Sequence, residues 1–366
     1  MTEGVRQFPC TQCGAKVEFA PGTDHLKCPY CAHLTEIPGA AEGANRERDL
    51  EDHLAADLGA EAETEEVSSV QCASCAALVE PPRSAEAFPC PYCGSSIVAA
   101  AKSQRQIKPQ ALLPFRIDRN DATSRFRKWI HGLWFAPDSL KKLAHVDGRL
   151  QGLYAPYWTY DSDTVSRYTG QRGDNYYVTK TRTVVRDGKR VTETYQDRQI
   201  RWRGAAGTVR RDFDDVLVCG SDSLPRNLAE ALEPWDLQSL TPYADEYVAG
   251  FLAERYQVDV RRGWARARER MEVVIRGDVE RDIGGDHQRI HTLDTDHRST
   301  TFKHVLLPMW ICSYRYKEKI YRFLVNARTG EVQGQRPWSW IKITLAVLLV
   351  AAVAIVVYRL TEGRGP

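Results

Sequence analysis

Eight of the chain's ten cysteines fall into two quartets of identical spacing, and no other feature restricts the fold as much. Cys10, Cys13, Cys28 and Cys31 form the first, and Cys72, Cys75, Cys90 and Cys93 the second; each reads C-x2-C-x14-C-x2-C. Two CxxC turns bring four thiolates together, and Zn²⁺ prefers four soft ligands in a tetrahedron at about 2.3 Å. Each quartet is therefore expected to hold one structural Zn²⁺, two in all, with no open position for water or substrate. A disulfide framework and a redox CxxC are the competing readings. Oxidised pairs belong to small secreted domains, however, and redox motifs rarely come as matched quartets. Gly14 and Gly94 follow the second cysteine of a pair, where the backbone turns back with positive φ; Ala32 and Ala76 hold the equivalent places and are expected to be slightly strained.

The 366 residues are enough for two or three domains, and 43% hydrophobic content is enough for a sizeable core, which excludes a chain disordered throughout. Fifty basic against 48 acidic residues leave no overall basic field to attract a polyanion. Eight thiolates and two Zn²⁺ take the formal +2 to −2 and weaken that attraction further. Short strand-like pieces between the cysteine pairs, such as Ala15–Phe19 and Leu78–Glu80, suggest zinc ribbons over residues 1–37 and 69–100. Residues 38–68 between them are acidic, with ten acidic and two basic residues from Ala41 to Glu66. Leu50, Leu54 and Leu58 recur every fourth place there, so a solvated linker and a short docking helix are both open.

Ile343 to Tyr358 is uncharged and rich in Ile, Leu and Val. The 19 residues from Trp340 to Tyr358 span about 28 Å as a helix, close to the hydrocarbon thickness of a bilayer. Trp338, Trp340 and Tyr358 supply interfacial aromatics, and Lys342 and Arg359 bracket the run. A transmembrane helix over 341–358 with a short tail, 359–366, is expected, and the first residues contain no apolar signal-peptide core. Because zinc thiolates persist in a reducing compartment, the N-terminal domains are expected in the cytoplasm of a single-pass protein of the cell membrane.

Residues 108–338 read as an α+β domain of antiparallel sheet and helices. A helix capped at Asn120 or Asp121 places Phe126, Trp129, Ile130, Leu133 and Trp134 on one face before Pro137. A second starts at Thr241-Pro242 with Tyr243, Tyr247, Val248, Phe251 and Leu252 together, and a third, about 260–280, carries Val260, Trp264, Ala267, Met271 and Val274. Residues 174–203 alternate around Asp187-Gly188, a hairpin signal, and 313–334 suggest another turning near Asn326–Gly330. Pro156-Tyr157-Trp158 and Pro308-Met309-Trp310 repeat a P-x-W unit, each opening a strand pair, which hints at two related halves.

Candidate chemistry is sparse. No G-x-x-x-x-G-K-[ST] loop occurs, so the chain lacks the phosphate cradle of an ATPase motor. Asp286, His287, His291, Asp294, Asp296 and His297 offer nitrogen and oxygen ligands within twelve residues, although polar strand residues are the plainer reading. Arg261, Arg262, Arg266, Arg268 and Arg270 form a stripe read as a solvated face, with lipid headgroups or an acidic partner as alternatives. Cys219 and Cys312 read as buried small hydrophobes. No catalytic residue is assigned.

The twin ribbons, GLYAPYWTYD, DFDDVLV, LEPWDL, DIGGDHQRI and the block from LLPMWICSYRYKEK to PWSWIKI, followed by the apolar run, resemble a bacterial family of membrane-anchored proteins with a transcription-factor-IIB-type zinc ribbon. Members are often labelled primosomal protein N′, replication factor Y, or helicase-like. The resemblance covers nearly the whole chain, but without a P-loop the helicase activity does not carry over. It implies an adaptor at the membrane, with phage-shock or prohibitin/flotillin-type scaffolds as partners. Nucleic-acid binding by the tethered ribbons and an enzyme using the 286–297 cluster are the alternatives.

Overall fold

Three strands of unusual length organise the chain. Strands in globular proteins average five or six residues. Here β1 (Ala111–Leu112) is followed by β2 (Gln151–Arg186, 36 residues), β3 (Lys189–Cys219, 31), β4 (Thr241–Pro242), β5 (His287–Tyr316, 30), β6 (Lys319–Asn326) and β7 (Val332–Gly334). The computed structural model describes residues 8–38, 47–55, 64–74, 77–79, 87–98, 102–137, 150–186, 189–316 and 319–362. It is a mixed helix-and-strand protein built on a nine-stranded sheet with path β3-β2-β5-β1-β4, onto which β6, β7 and two short strands, Arg48–Asp49 and Leu252–Ala253, are added.

The central strand is β2, antiparallel to β3 on one side and to β5 on the other. Both P-x-W units do open a pairing. Tyr157 makes the first pair with Cys219 of β3, and Met309 pairs with Asn326 of β6. A proline cannot donate to a ladder, so it is tolerated where a neighbour changes. Gly220 N donates to Pro156 O and Ala327 N to Pro308 O, placing each ring nitrogen toward the gap where one neighbouring strand has ended and the next begins.

Four helices are relevant: α1 (Leu50–Ala55), α2 (Arg119–Gly132), α3 (Val260–Ile283) and α4 (Trp340–Glu362). The first predicted helix is α2, but its cap is Asp118, whose carboxylate accepts from Asp121 N, and Trp134 lies beyond it, 78% exposed. The helix expected from Thr241-Pro242 shrinks to Asp245–Val248, because Thr241 and Pro242 pair with Leu112 and Ala111. In α3, Asp259 caps the start, and a stripe stepping first by three and then by four, Val260, Gly263, Ala267, Met271, Ile275, Val279 and Ile283, is buried. Val274, expected inside, is 41% exposed. The 313–334 region turns twice, between β5 and β6 and again between β6 and β7.

The acidic segment docks onto its own chain. Arg48 and Asp49 pair with Phe302 and Thr301 of β5, Leu50 is buried against the sheet, and Leu54 packs beside it. Leu58 lies outside the described residues. Both cysteine modules likewise share apolar clusters with the body. Phe19 of the first packs edge-on against Tyr247 at 5.3 Å, and Val79 and Tyr92 of the second join Leu153, Tyr157 and Leu217.

The packing of α3 depends on one missing side chain. A Cβ at Gly263 would strike the Tyr160 hydroxyl, which donates to Val260 O at 2.7 Å. Gly263→Ala is expected to lower stability by roughly 1–3 kcal/mol through overpacking. Denaturant unfolding measures this, and an unchanged midpoint would mean α3 sits elsewhere.

Candidate metal centres

In three of the cysteine pairs a tight turn is closed by a backbone hydrogen bond back to the first cysteine's carbonyl. Gly14 N donates to Cys10 O at 2.8 Å, Ala32 N to Cys28 O at 3.0 Å and Gly94 N to Cys90 O at 2.8 Å. The residues closing these turns have φ of 73°, 60° and 73°, so Ala32 does occupy the left-handed region. Ala76, its expected counterpart, lies outside the described residues.

The four sulfurs of Cys10, Cys13, Cys28 and Cys31 all lie within 4.8 Å of one another. Cys10 Sγ is 3.5 Å from Cys31 Sγ, and Cys13 Sγ is 3.6 Å from Cys28 Sγ. A regular tetrahedron with metal–sulfur bonds of about 2.3 Å has edges of about 3.8 Å, so these sulfurs are spaced as one metal ion requires. The Cys31 N–H, followed by the Tyr30 N–H, lowers the Cys28 thiol to about 6 against the effect of burial. A thiolate is the ligand form. In the second module Cys72, Cys90 and Cys93 converge in the same way, with Cys72 Sγ 3.6 Å from Cys93 Sγ. Cys75, the fourth expected ligand, lies outside the described residues.

The two modules differ in their surroundings although both carry the knuckle Cys-Pro-Tyr-Cys. In the first, Tyr30 is 83% exposed and Cys13 and Cys31 face solvent. In the second, Tyr92 is wholly buried and Cys72, Cys90 and Cys93 are buried with it. The Tyr92 hydroxyl donates a short hydrogen bond to Glu254, whose other oxygen accepts from Ser221 Oγ at 2.7 Å. Arg322 Nε donates to Tyr92 O at 2.7 Å, and Nη1 to Ser223 O at 3.2 Å. Burial pushes the Glu254 carboxyl up to about 7. Sequence reasoning missed this lock. Its one visible signal was the repeated Cys-Pro-Tyr-Cys, and nothing local marks Glu254 or Arg322 as its partners.

The 286–297 ligands do not converge. Strand alternation puts Asp294 and Asp296 on one face and His297 on the other, against Trp264 and 3.4 Å from Ser162 Oγ. His287 Nε2 lies 3.0 Å from Asn175 Oδ1, whose backbone N–H donates to Asp286. The arginine stripe is largely paired within the chain. Arg262 and Arg266 reach Asp222, Arg270 holds Glu233 with two bonds of 2.7 and 2.8 Å, and Arg268 lies over Trp264. Cys312 is buried, and burial pushes the Cys219 thiol up to about 12, as fits an inert thiol. A third converging group, Asp161, Asp214 and Asp215, was not foreseen. Lys303 faces it, 3.4 Å from Asp215 and 2.9 Å from Glu47 of the docked acidic segment.

Among the described residues, one helix, α4, is long and apolar enough to cross a membrane. Trp340–Arg359 has a mean hydropathy of 2.6 and is not buried by the rest of the protein, unlike the core helix of a soluble domain. Ser339 N donates to Phe135 O and Lys342 Nζ to Ala136 O, so its start is tied to the chain just after α2.

The chain is 26% identical over 255 residues to an uncharacterized Bacillus subtilis protein, YdjG, an overlap of 67% of this chain and 68% of that one. No family model and no solved structure matches it.

Two outcomes follow from the unequal burial. A chromophoric chelator added to the folded protein is expected to withdraw metal in two kinetic phases, the faster one absent in Cys13→Ser; a single phase would contradict unequal protection. Glu254 has its folded pKa raised above the unfolded value, so the folded state binds the extra proton and stability falls as pH rises from about 4.5 to about 7. Glu254→Gln keeps the shape and one of the two accepting oxygens, and is expected to remove that slope. Thermal melts across that range decide it.

Proposed function

We propose that the protein is an adaptor held at the cell membrane by α4, with its metal modules in the reducing cytoplasm presenting a rigid face to protein partners. The metal is Zn²⁺. Sulfur-only ligands at tetrahedral spacing suit this ion, and a four-thiolate site holds it structurally without an open position for catalysis. Cys75 completes the second site in this reading.

The observation that carries the adaptor role is the contrast between the two knuckles. The second is consumed by the protein's own core, whereas the first holds Tyr30 and Leu34, 83% and 53% exposed, on a metal-stiffened turn. An aromatic side chain fixed on a rigid support loses little entropy on binding, which suits it to anchor a partner. Tethering to a bilayer raises the effective concentration of any membrane-associated partner. Phage-shock or prohibitin/flotillin-type scaffolds fit the family resemblance. Binding of nucleic acid by the ribbons is the second reading, and it predicts an affinity that falls steeply with salt.

Full-length protein is expected in the membrane fraction and residues 1–338 in the soluble fraction, with a reporter active only outside the cytoplasm silent when fused to Met1. Partners that co-purify in mild detergent are expected to be lost in a Tyr30→Ala, Leu34→Ala variant whose metal content is unchanged. Retention of those partners would remove the first ribbon from the role, and a salt-sensitive nucleic acid in their place would favour the second reading.

A further inference from the structure

The hairpin of β2 and β3 outruns the rest of the sheet. The last pair between β2 and β5 is Gly173 with His287, yet β2 continues to Arg186 and β3 returns from Lys189, paired only with each other. This arm extends about 40 Å at 3.3 Å per residue. Tyr177, Val185 and Val191 on it are 65%, 69% and 43% exposed. The helix α3 ends at Ile283 and does not cover it. Among the described residues, no strand pairs with the outer edge of β3 along its 31 residues, and the strand contains no proline. A two-stranded ribbon is marginal alone, and a long uncovered edge is a template for another strand.

The geometry points to a second copy of this chain as the occupant, its β3 adding antiparallel to β3 across a two-fold axis at Gln199. Along the arm, the charge pattern is self-complementary in one register, which suits this occupant. A two-fold pairing that keeps each face of the sheet continuous must centre on a residue, and the centres that put the axis on the arm with at least five pairs either side run from Thr194 to Trp202. Centring on Thr194 sets Arg190 against Arg198, on Tyr195 sets Glu193 against Asp197, and on Gln196 sets Lys189 against Arg203. Centring on Asp197, Arg198 or Arg201 sets that charge against itself, on Ile200 sets Arg190 against Arg210, and on Trp202 sets Arg201 against Arg203. Among these centres on the arm, only Gln199 avoids every like-charge pair. It places Asp197 opposite the second copy's Arg201 twice and Tyr195 opposite the second copy's Arg203 twice, with the amide of Gln199 facing its own copy. Opposite charges directly across an antiparallel pair are favourable and like charges unfavourable. The small run Gly204-Ala205-Ala206-Gly207 then receives Val191 to Thr194 of the second copy, where the edge passes α3.

The full chain in mild detergent is expected to have the mass of a dimer by light scattering. Gln199→Cys is expected to give a disulfide-linked dimer under mild oxidation, with the parent chain, treated identically, setting the background. Asp197→Arg is expected to weaken the dimer at least tenfold, and the double variant Asp197→Arg, Arg201→Asp to restore it. Asp197 also pairs with Lys180 inside the arm, at 2.5 Å, and the double variant leaves that contact broken. Restoration can therefore come only from across the edge, even if the single variant folds poorly. A monomeric parent chain overturns the inference, as does a dimer that the Gln199→Cys variant does not cross-link or that the charge swap does not restore.

Discussion

The ladder that β2 makes on both sides holds the rest of the molecule in place. Because side chains alternate along a strand, its register fixes every residue that faces α3 and every residue that faces away. Ser162, Thr164 and Ser166 are buried under the helix, while Asp163 and Arg167 lie in solvent. The same register brings Trp158 and Tyr160 to the backbone of the α3 approach, where their N–H and O–H groups donate to Val258 O and Val260 O. Aromatic bulk is thereby buried without orphaning a polar atom.

Around this frame the two cysteine modules are held by different attachments. The second is joined by apolar packing and by a buried hydrogen-bond set in which Tyr92, Ser221 and Glu254 satisfy one another. Closing that set matters because an unpaired carboxyl in a core is costly, whereas a protonated or fully hydrogen-bonded one is tolerated. The first meets the body through Phe19, Ala249 and Phe115 and leaves its knuckle in water. One knuckle is therefore built into the body and the other is displayed to solvent.

Among the described residues, the α4 helix and the arm both present long surfaces that the rest of the fold leaves uncovered. An apolar helix with no protein around it suits lipid. A strand edge with alternating charge suits another strand, since backbone groups supply affinity and side chains supply register.

Periodicity and spacing made the cysteine quartets, the apolar span, α2, α3 and the 174–203 hairpin legible, because each depends on residues close in sequence. The Thr241 helix was misread because a two-residue strand pairing with Ala111 and Leu112 outweighed local preference. The 286–297 residues looked like one ligand set in sequence, but strand alternation separates their side chains. The length of β2 and β3 was invisible because their outer thirds alternate no differently from an ordinary hairpin. The two Cys-Pro-Tyr-Cys turns follow from local sequence alone, since four residues suffice to build a turn that brings two sulfurs together. The burial of Tyr92 and the exposure of Tyr30 arise instead from long-range packing. That outcome depends on Glu254 and Arg322, which lie 162 and 230 residues away and reach Tyr92 only when the sheet is complete.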